Sequence, residues 1–295
     1  MPELPDIAVY CESIERQLGG ATLQRILLPS VFVLRTVDPA VSEFEGRRLN
    51  RVAHLGKRVV LEFEGERFAM IHLMIAGRFK WFPTGRKLPM NKIVLACFAF
   101  DRGTLALTEA GTKRRASLHL LRGRDALSLH DPGGIDPVSC TLAEFTSRLQ
   151  QENRTLKRAL TDSRLFSGIG NSYSDEILHC ARLSPLALSQ KLTAPELAKL
   201  HAATREVLAE WLSRLRNEAT GKFPEKVTAF RPEMAVHGKF KHPCPACGAL
   251  VQRIVYAENE CNYCPSCQTG GKLLADRALS RLLKSNWPKT PEDLG

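Results

Sequence analysis

No run of about 18 apolar residues occurs in this 295-residue chain, so the sequence offers no helix able to cross a membrane. The first residues, MPELPDIAVYCESIERQ, lack a basic stretch followed by an apolar one, and a secretory signal is not expected. Acidic residues are in deficit: 31 Asp and Glu face 42 Lys and Arg, a net charge of +11. That balance argues against an acidic solvating protein and favours a polyanionic partner, nucleic acid or an anionic surface. An evenly spread, even-numbered set of cysteines is also missing. Nine are present, and five of them (Cys244, Cys247, Cys261, Cys264 and Cys267) crowd the last fifth of the chain. Cys11, Cys97, Cys140 and Cys180 lie among apolar neighbours and read as buried thiols. This distribution excludes a disulfide framework and fits a metal site in a reducing compartment. No internal repeat at a solenoid period is present.

With 44% hydrophobic and 25% charged residues, the chain has enough apolar material for real cores, and its length suits two domains. Ile7, Tyr10, Cys11, Ile14 and Leu18 fall at helical spacing over residues 5–18, and Gly19-Gly20 end the pattern. From about 21 to 121 the texture becomes short β-rich runs: TLQRILLP, KRVVLEFE, RFAMIHLMI, NKIVLACFAF, TLALTEA and ASLHLLRG. Turn signals at Glu64-Gly65 and Asp101-Arg102-Gly103 predict an antiparallel sandwich or barrel. The breaker-rich stretch HDPGGIDPVSC, near 130–140, reads as a linker. Beyond it LAEFTSRLQ, LKRALTD, NSYSDEILHCARL and PELAKLHAATREVLAEWLSRLRNEA read as helices. GKFPEKVTAFRPEMAVHGKFKHP reads as a basic loop, and KLLADRALSRLLKSNWP as a short basic helix.

Two features carry chemistry. The pattern CPAC-x16-CPSC places two CPxC knuckles, Cys244/Cys247 and Cys264/Cys267, where each pair of thiolates can reach one ion from a tight turn. Cys261 competes as a fourth ligand but lacks the knuckle form. No water-activating His or carboxylate sits in the knuckles, so the expected ion is one structural zinc. Such a ribbon alone does not identify a function. The second feature is MPELPD. Removal of Met1 ahead of a small residue leaves Pro2 with a secondary amine, and α-amino groups titrate near ~8, far below Lys. That amine can attack an electrophilic carbon near neutral pH and form an iminium with a sugar aldehyde, with Glu3 beside it to move protons.

MPELPD, HLGK at 54–57, HLMIAG at 72–77, LKRALTD at 156–162, GIGNSYSDEIL at 168–178 and the final cysteine module occur in one order. In that order the chain resembles the formamidopyrimidine/endonuclease VIII superfamily of helix-two-turn-helix DNA glycosylases, from residue 2 to about 267. The resemblance implies an α+β fold: an N-terminal β-sandwich domain with a leading helix (1–130), a helical helix-two-turn-helix domain (131–240), and a four-cysteine zinc-finger module with a C-terminal helical extension (241–295). It implies damaged DNA bound in a basic cleft by a monomer, in the bacterial cytoplasm or a eukaryotic nucleus. Pro2 is then the nucleophile on C1′, Glu3 the acid/base residue and Lys57 the catalytic-loop lysine beside the lesion. Asn171 and exposed N–H groups of GIGN would hold a phosphate at a helix N-terminus. Lys157 matches a position near the DNA backbone, and Glu176 a buried helix carboxylate.

Several positions depart from the family pattern. Asp6 stands for the usual Glu. Ile75, with Met74 beside it, stands where the family has an intercalating Met; each is equally readable as a sheet-core residue or as a wedge filling the hole left by a flipped base. LTEAGTKRRASL replaces a DPRRFG-type loop, so Arg114 and Arg115 keep the charge but no aromatic follows. Asn259 occupies the place of the zinc-finger arginine, and a neutral amide cannot reproduce a guanidinium clamp on two phosphates. Three readings follow. The first is a bifunctional DNA glycosylase/AP lyase for oxidised bases. The second is a damage-binding homologue with little turnover, or a lyase for single-stranded or cross-linked DNA. The third, a zinc-ribbon RNA or translation factor, leaves the N-terminus unexplained.

Overall fold

The computed structural model describes residues 1–86, 91–225, 227, 231–256 and 259–274. Two compact units divide the chain: Met1–Pro132 with Trp211–Thr228, and Gly133–Glu210 with Ala229–Gly295. The basic helix expected over 272–288 falls almost wholly outside the described residues.

The first unit begins with α1 (Leu4–Leu18). Glu3 is its N-cap, and Asp6 accepts the Glu3 N–H at 2.9 Å, which satisfies a donor the helix itself cannot pair. Ile7, Tyr10, Ile14 and Leu18 are fully buried, and Gly20, at φ +74°, turns the chain away. Burying each such side chain contributes about 1.5–3 kcal/mol, so the helix is held by its packing more than by its length.

Eight strands follow: β1 (Leu23–Leu27), β2 (Leu49–Leu55), β3 (Arg58–Phe63), β4 (Arg67–His72), β5 (Gly77–Pro83), β6 (Val94–Phe100), β7 (Gly103–Glu109) and β8 (Ser117–Arg122). They form two antiparallel four-stranded sheets, ordered β1-β6-β7-β5 and β2-β3-β4-β8. The sandwich is thus realised and the barrel is not. Strand β3 explains why both of its faces are apolar. Val59, Leu61 and Phe63 enter the main core, while Val60 joins Phe68, Met70 and Leu121 on the outer face. Ala126 and Leu127 of the short helix α2 (Arg124–Ser128) cover that outer cluster. Tyr10 of α1 meets Phe79 of β5 edge-on, with ring centroids 5.3 Å apart.

The chain crosses between the sheets three times, over residues 28–48 from β1 to β2 and then through two short loops. Leu73–Ala76 carries the chain from β4 to β5, and residues 110–116 carry it from β7 back to β8. A Cβ on Gly111 would lie 3.6 Å from Ala76 Cβ, so the two loops run side by side.

The second unit holds α3 (Leu142–Leu149), α4 (Leu156–Thr161), α5 (Asn171–Cys180) and most of α6 (Ala194–Glu218), whose last turns belong to the first unit. Thr141 and Glu144 cap α3 reciprocally: the Thr141 N–H donates to Glu144 at 2.8 Å and the Glu144 N–H to Thr141 Oγ1 at 3.3 Å. A hairpin, β9 (Gln252–Tyr256) and β10 (Asn259–Tyr263), and the one-turn helix α7 (Pro265–Thr269) complete it. Among the described residues no helix is long and apolar enough to cross a membrane.

The β4–β5 loop depends on one glycine. The Gly77 N–H donates to Leu73 O at 2.9 Å, and a Cβ on Gly77 would stand 2.2 Å from that same oxygen. Gly77→Ala should therefore lower stability by about 1–3 kcal/mol through backbone displacement, seen in urea unfolding as a lower midpoint at unchanged m. A variant as stable as the parent would show that the loop yields.

Candidate active site and metal centre

The chain start, one hairpin tip and both crossing loops meet at one end of the first unit. Gly56-Lys57 form the two-residue turn between β2 and β3, with Gly56 at φ +59° as such turns require. Arg58, next in line, pairs across with His72, and His72 with Ser117, so the Lys57 turn and both loop mouths share one sheet edge. Pro2, Glu3 and Asp6 are buried at the start of α1. Burial pushes the Met1 ammonium below its ordinary value of 8.0; Glu3 opposes this, Arg78 adds to it, and Asp6 and Lys57 have smaller effects of opposite sign. Two acids and two bases thus surround the terminal amine.

Neither candidate wedge residue lies in a sheet. Ile75 stands at the apex of the β4–β5 loop, 58% exposed, and Met74 beside it is half-buried at φ +52°, a strained value for a side-chain-bearing residue. Arg78, which the sequence did not single out, donates to the carbonyls of Ile75 (3.0 Å) and Gly77 (2.6 Å) and so braces the loop. Arg114 and Arg115 are exposed on the neighbouring loop. Its base is fixed by buried Glu109, which accepts the N–H groups of Arg115 and Ala116, each at 3.0 Å.

In the second unit Lys157 is buried and held by the protein itself. Its ammonium donates to Asn171 O (2.6 Å), Ser174 Oγ (2.8 Å) and Asp175 Oδ1 (2.5 Å), which uses all three of its protons. The reason is Asp175, a fully buried carboxylate that no helix can hold unpaired. Its other oxygen accepts from His237 Nδ1 at 2.8 Å and from the Asn262 N–H at 3.1 Å. Burial alone would raise Asp175; Lys157 and His237 outweigh that and hold it below its ordinary value. Glu176, next along, accepts the N–H groups of Ala235 (2.7 Å), Val236 (2.9 Å) and His237 (2.9 Å), yet burial keeps its acidity weaker than usual. Asn171, at the first turn of α5, donates through Nδ2 to Glu260 O at 2.8 Å. The side chain of Asn259, at the head of β10, lies outside the described residues.

The sulfurs of Cys244, Cys247, Cys264 and Cys267 all lie within 4.8 Å of one another. Tetrahedral zinc with Zn–S of about 2.3 Å sets neighbouring sulfurs roughly 3.8 Å apart. Two of the pairs, Cys247–Cys264 at 3.4 Å and Cys244–Cys267 at 4.0 Å, bracket that value. Cys261 stays out of the cluster. It faces a pocket of Ile254 and Tyr263, where burial pushes its thiol far above the ordinary range. Cys247 is the exposed member: burial is the largest single influence and raises it, but the Ala249 N–H and neighbouring side chains together outweigh that and bring it down to about 7. A thiolate is therefore available at neutral pH to engage an ion.

The N-terminal domain of formamidopyrimidine-DNA glycosylase matches residues 1–120, and the H2TH domain of the same enzyme matches residues 134–220. With a sheet sandwich, a helical unit and a four-cysteine cluster, these matches place the chain in the class of helix-two-turn-helix DNA glycosylases. A formamidopyrimidine-DNA glycosylase of Thermus thermophilus is 32% identical over 283 residues, 92% of this chain and 100% of that one. The crystal structure of MutM (Fpg) from Thermus thermophilus superposes with a TM-score of 0.76 at 30% identity, covering 90% of this chain and 98% of that one. Lactococcus lactis Fpg, solved with DNA containing an abasic site, shares the fold at a TM-score of 0.79 and 22% identity, covering 90% and 99% of the two chains. The chain belongs to the formamidopyrimidine-DNA glycosylase family, within the superfamily its motifs resemble.

Two outcomes are expected of the second unit. Lys157→Met strands the Asp175 charge and should cost about 3–5 kcal/mol, much of it regained by adding Asp175→Asn. Because Asp175 is held low, its stabilisation is present at neutral pH and lost as pH falls through that lowered value; thermal melts should show this acid limb in the parent and not in the double variant. Metal analysis should find one ion per chain, kept by Cys261→Ser and lost by Cys267→Ser. The reverse pattern would reassign the ligands.

Proposed function

We propose that this chain is a bifunctional DNA glycosylase and AP lyase that excises oxidised bases through Pro2. The observation that carries the reading is the buried start of the chain, where Pro2 and Glu3 lead into α1; burial lowers the Met1 amine ahead of them, Glu3 and Asp6 oppose this, and Arg78 and Lys57 add to it. The positive end of the α1 dipole also disfavours a cationic amine there. In this reading Met1 is removed and the Pro2 nitrogen pair forms a bond to C1′. The base departs with the glycosidic pair, and Glu3 protonates the sugar ring oxygen as the ring opens to an iminium. The iminium acidifies the C2′ hydrogen, whose loss expels the 3′ phosphate and nicks the strand. Lys57 holds the phosphate beside the lesion. Ile75 and Met74 fill the vacated stack, and Arg114 and Arg115 offer charge to the neighbouring backbone. Asn171 meets a phosphate at the start of α5. One zinc on Cys244, Cys247, Cys264 and Cys267 supplies rigidity and no chemistry. The missing aromatic after Arg115 and the Asn259 substitution favour a second reading, a damage-binding homologue with slow turnover.

One experiment separates them. Borohydride trapping on oligonucleotides with oxidised purines, oxidised pyrimidines or abasic sites should give a covalent complex with the processed protein. Trapping should be absent with an uncleaved N-terminal tag and should rise with pH, since only the free amine attacks. Glu3→Gln should bind normally and lose about 10²–10⁴-fold in base excision, with cleavage of preformed abasic sites less affected. Binding without trapping would favour the second reading. A tagged protein that traps as well as the processed one would move the chemistry to a lysine, with Lys57 first to be tested.

A further inference from the structure

Helix α5 presents a polar row to the cysteine hairpin. Asn171, Asp175 and His179 recur at every fourth residue, and each reaches a different part of the same module. Asn171 Nδ2 donates to Glu260 O at 2.8 Å, Asp175 accepts the Asn262 N–H at 3.1 Å, and His179 Nε2 lies 3.2 Å from Cys244 Sγ. The first two bind the backbone of β10. The third touches one of the four clustered sulfurs.

Chemistry favours a donor at that point. Four thiolates around one dication carry an excess of two negative charges, and Cys244 is only 2% exposed, so water cannot spread that charge. Its surroundings, Val236, Val251 and Cys264, are apolar or like-charged. Other sulfurs receive N–H groups from within the knuckles, as Cys264 does from Cys267 N at 3.5 Å. For Cys244 the donor comes from outside the module, from the last turn of α5. At 3.2 Å an N–H···S contact is within hydrogen-bond range, whereas a metal-bound imidazole would have its nitrogen about 2.0–2.1 Å from the ion. The geometry within the four-sulfur cluster is already complete without it.

We propose that His179, in its Nε2–H tautomer, is a positioning residue for the metal centre, donating to the metal-bound Cys244 thiolate and locking the cysteine module onto α5. The proposal rests on the reading that the four cysteines hold zinc. Residues of this kind, which fix and partly neutralise a ligand, typically change metal affinity by about 10–100-fold when removed.

The test compares the full-length parent, His179→Phe and His179→Gln, each loaded with zinc, by the rate of metal loss to a chromogenic chelator. His179→Phe should release zinc about 10–100-fold faster, and His179→Gln, whose side-chain amide keeps an N–H at similar reach, should recover most of the difference. Circular dichroism of the loaded proteins checks that the fold is kept. Cobalt loading gives a second readout: parent and His179→Phe should both show an all-thiolate spectrum. Equal release from the parent and His179→Phe, or no rescue by Gln, overturns the proposal. A cobalt spectrum with nitrogen ligation in the parent that disappears in His179→Phe overturns it too, making His179 a ligand. A parent that binds no metal removes the zinc reading itself, which the stoichiometry reports separately.

Discussion

A chain terminus frays unless something ties it down. Here three residues separate the start of the chain from the first turn of α1, and that helix is pinned by four fully buried side chains. Everything at this end of the first unit depends on that anchorage. Asp6 ties Glu3 through its backbone, which sets where the chain begins. The Lys57 turn and the Ile75 loop then need only be placed relative to a fixed point, and the sheet register does this through the Arg58–His72–Ser117 pairs. A helix that starts at residue 4 also aims its positive end at the amine, so the element that positions the group also tunes it.

The second unit solves a different problem, a carboxylate with no access to water. Asp175 gathers Lys157, His237 and Asn262, and these come from α4, from the segment before the first knuckle and from β10. One buried charge thereby joins three stretches far apart in sequence. Glu176 is held by three backbone donors, and its weaker acidity reflects its burial.

Much of this was legible in the residues, and what was not has physical causes. The leading helix and six strand-like runs stood out because their apolar residues kept a clean period. Strands β2 and β5 did not: LNRVAHL mixes charge into its alternation, and GRFKWFP starts directly at a tight turn, where its pairing with β7 comes from distant residues. The knuckles were readable because metal geometry constrains local spacing, so the choice of Cys264 over Cys261 followed from form. The partners of Lys157 were not legible because nothing in LKRALTD says which way a lysine points; the buried Asp175, 18 residues on, decides it. His179 carried no signal at all, since it acts on a partner that the fold brings to it. Ile75 was ambiguous as an apolar residue in a β-rich run, and only the loop shape sets it at an apex.

The row on α5 has a geometric consequence. Side chains four apart do not stack along a helix; each step advances 400°, so the row drifts around the barrel of the helix at about 26° to its axis. From Asn171 to His179 it climbs about 12 Å at 1.5 Å per residue. A body gripped at two points can still swing about the line joining them. The third grip, displaced around the helix, removes that swing. The hairpin is therefore fixed in tilt as well as in height, like a lid held by two hinges and a latch set off their axis.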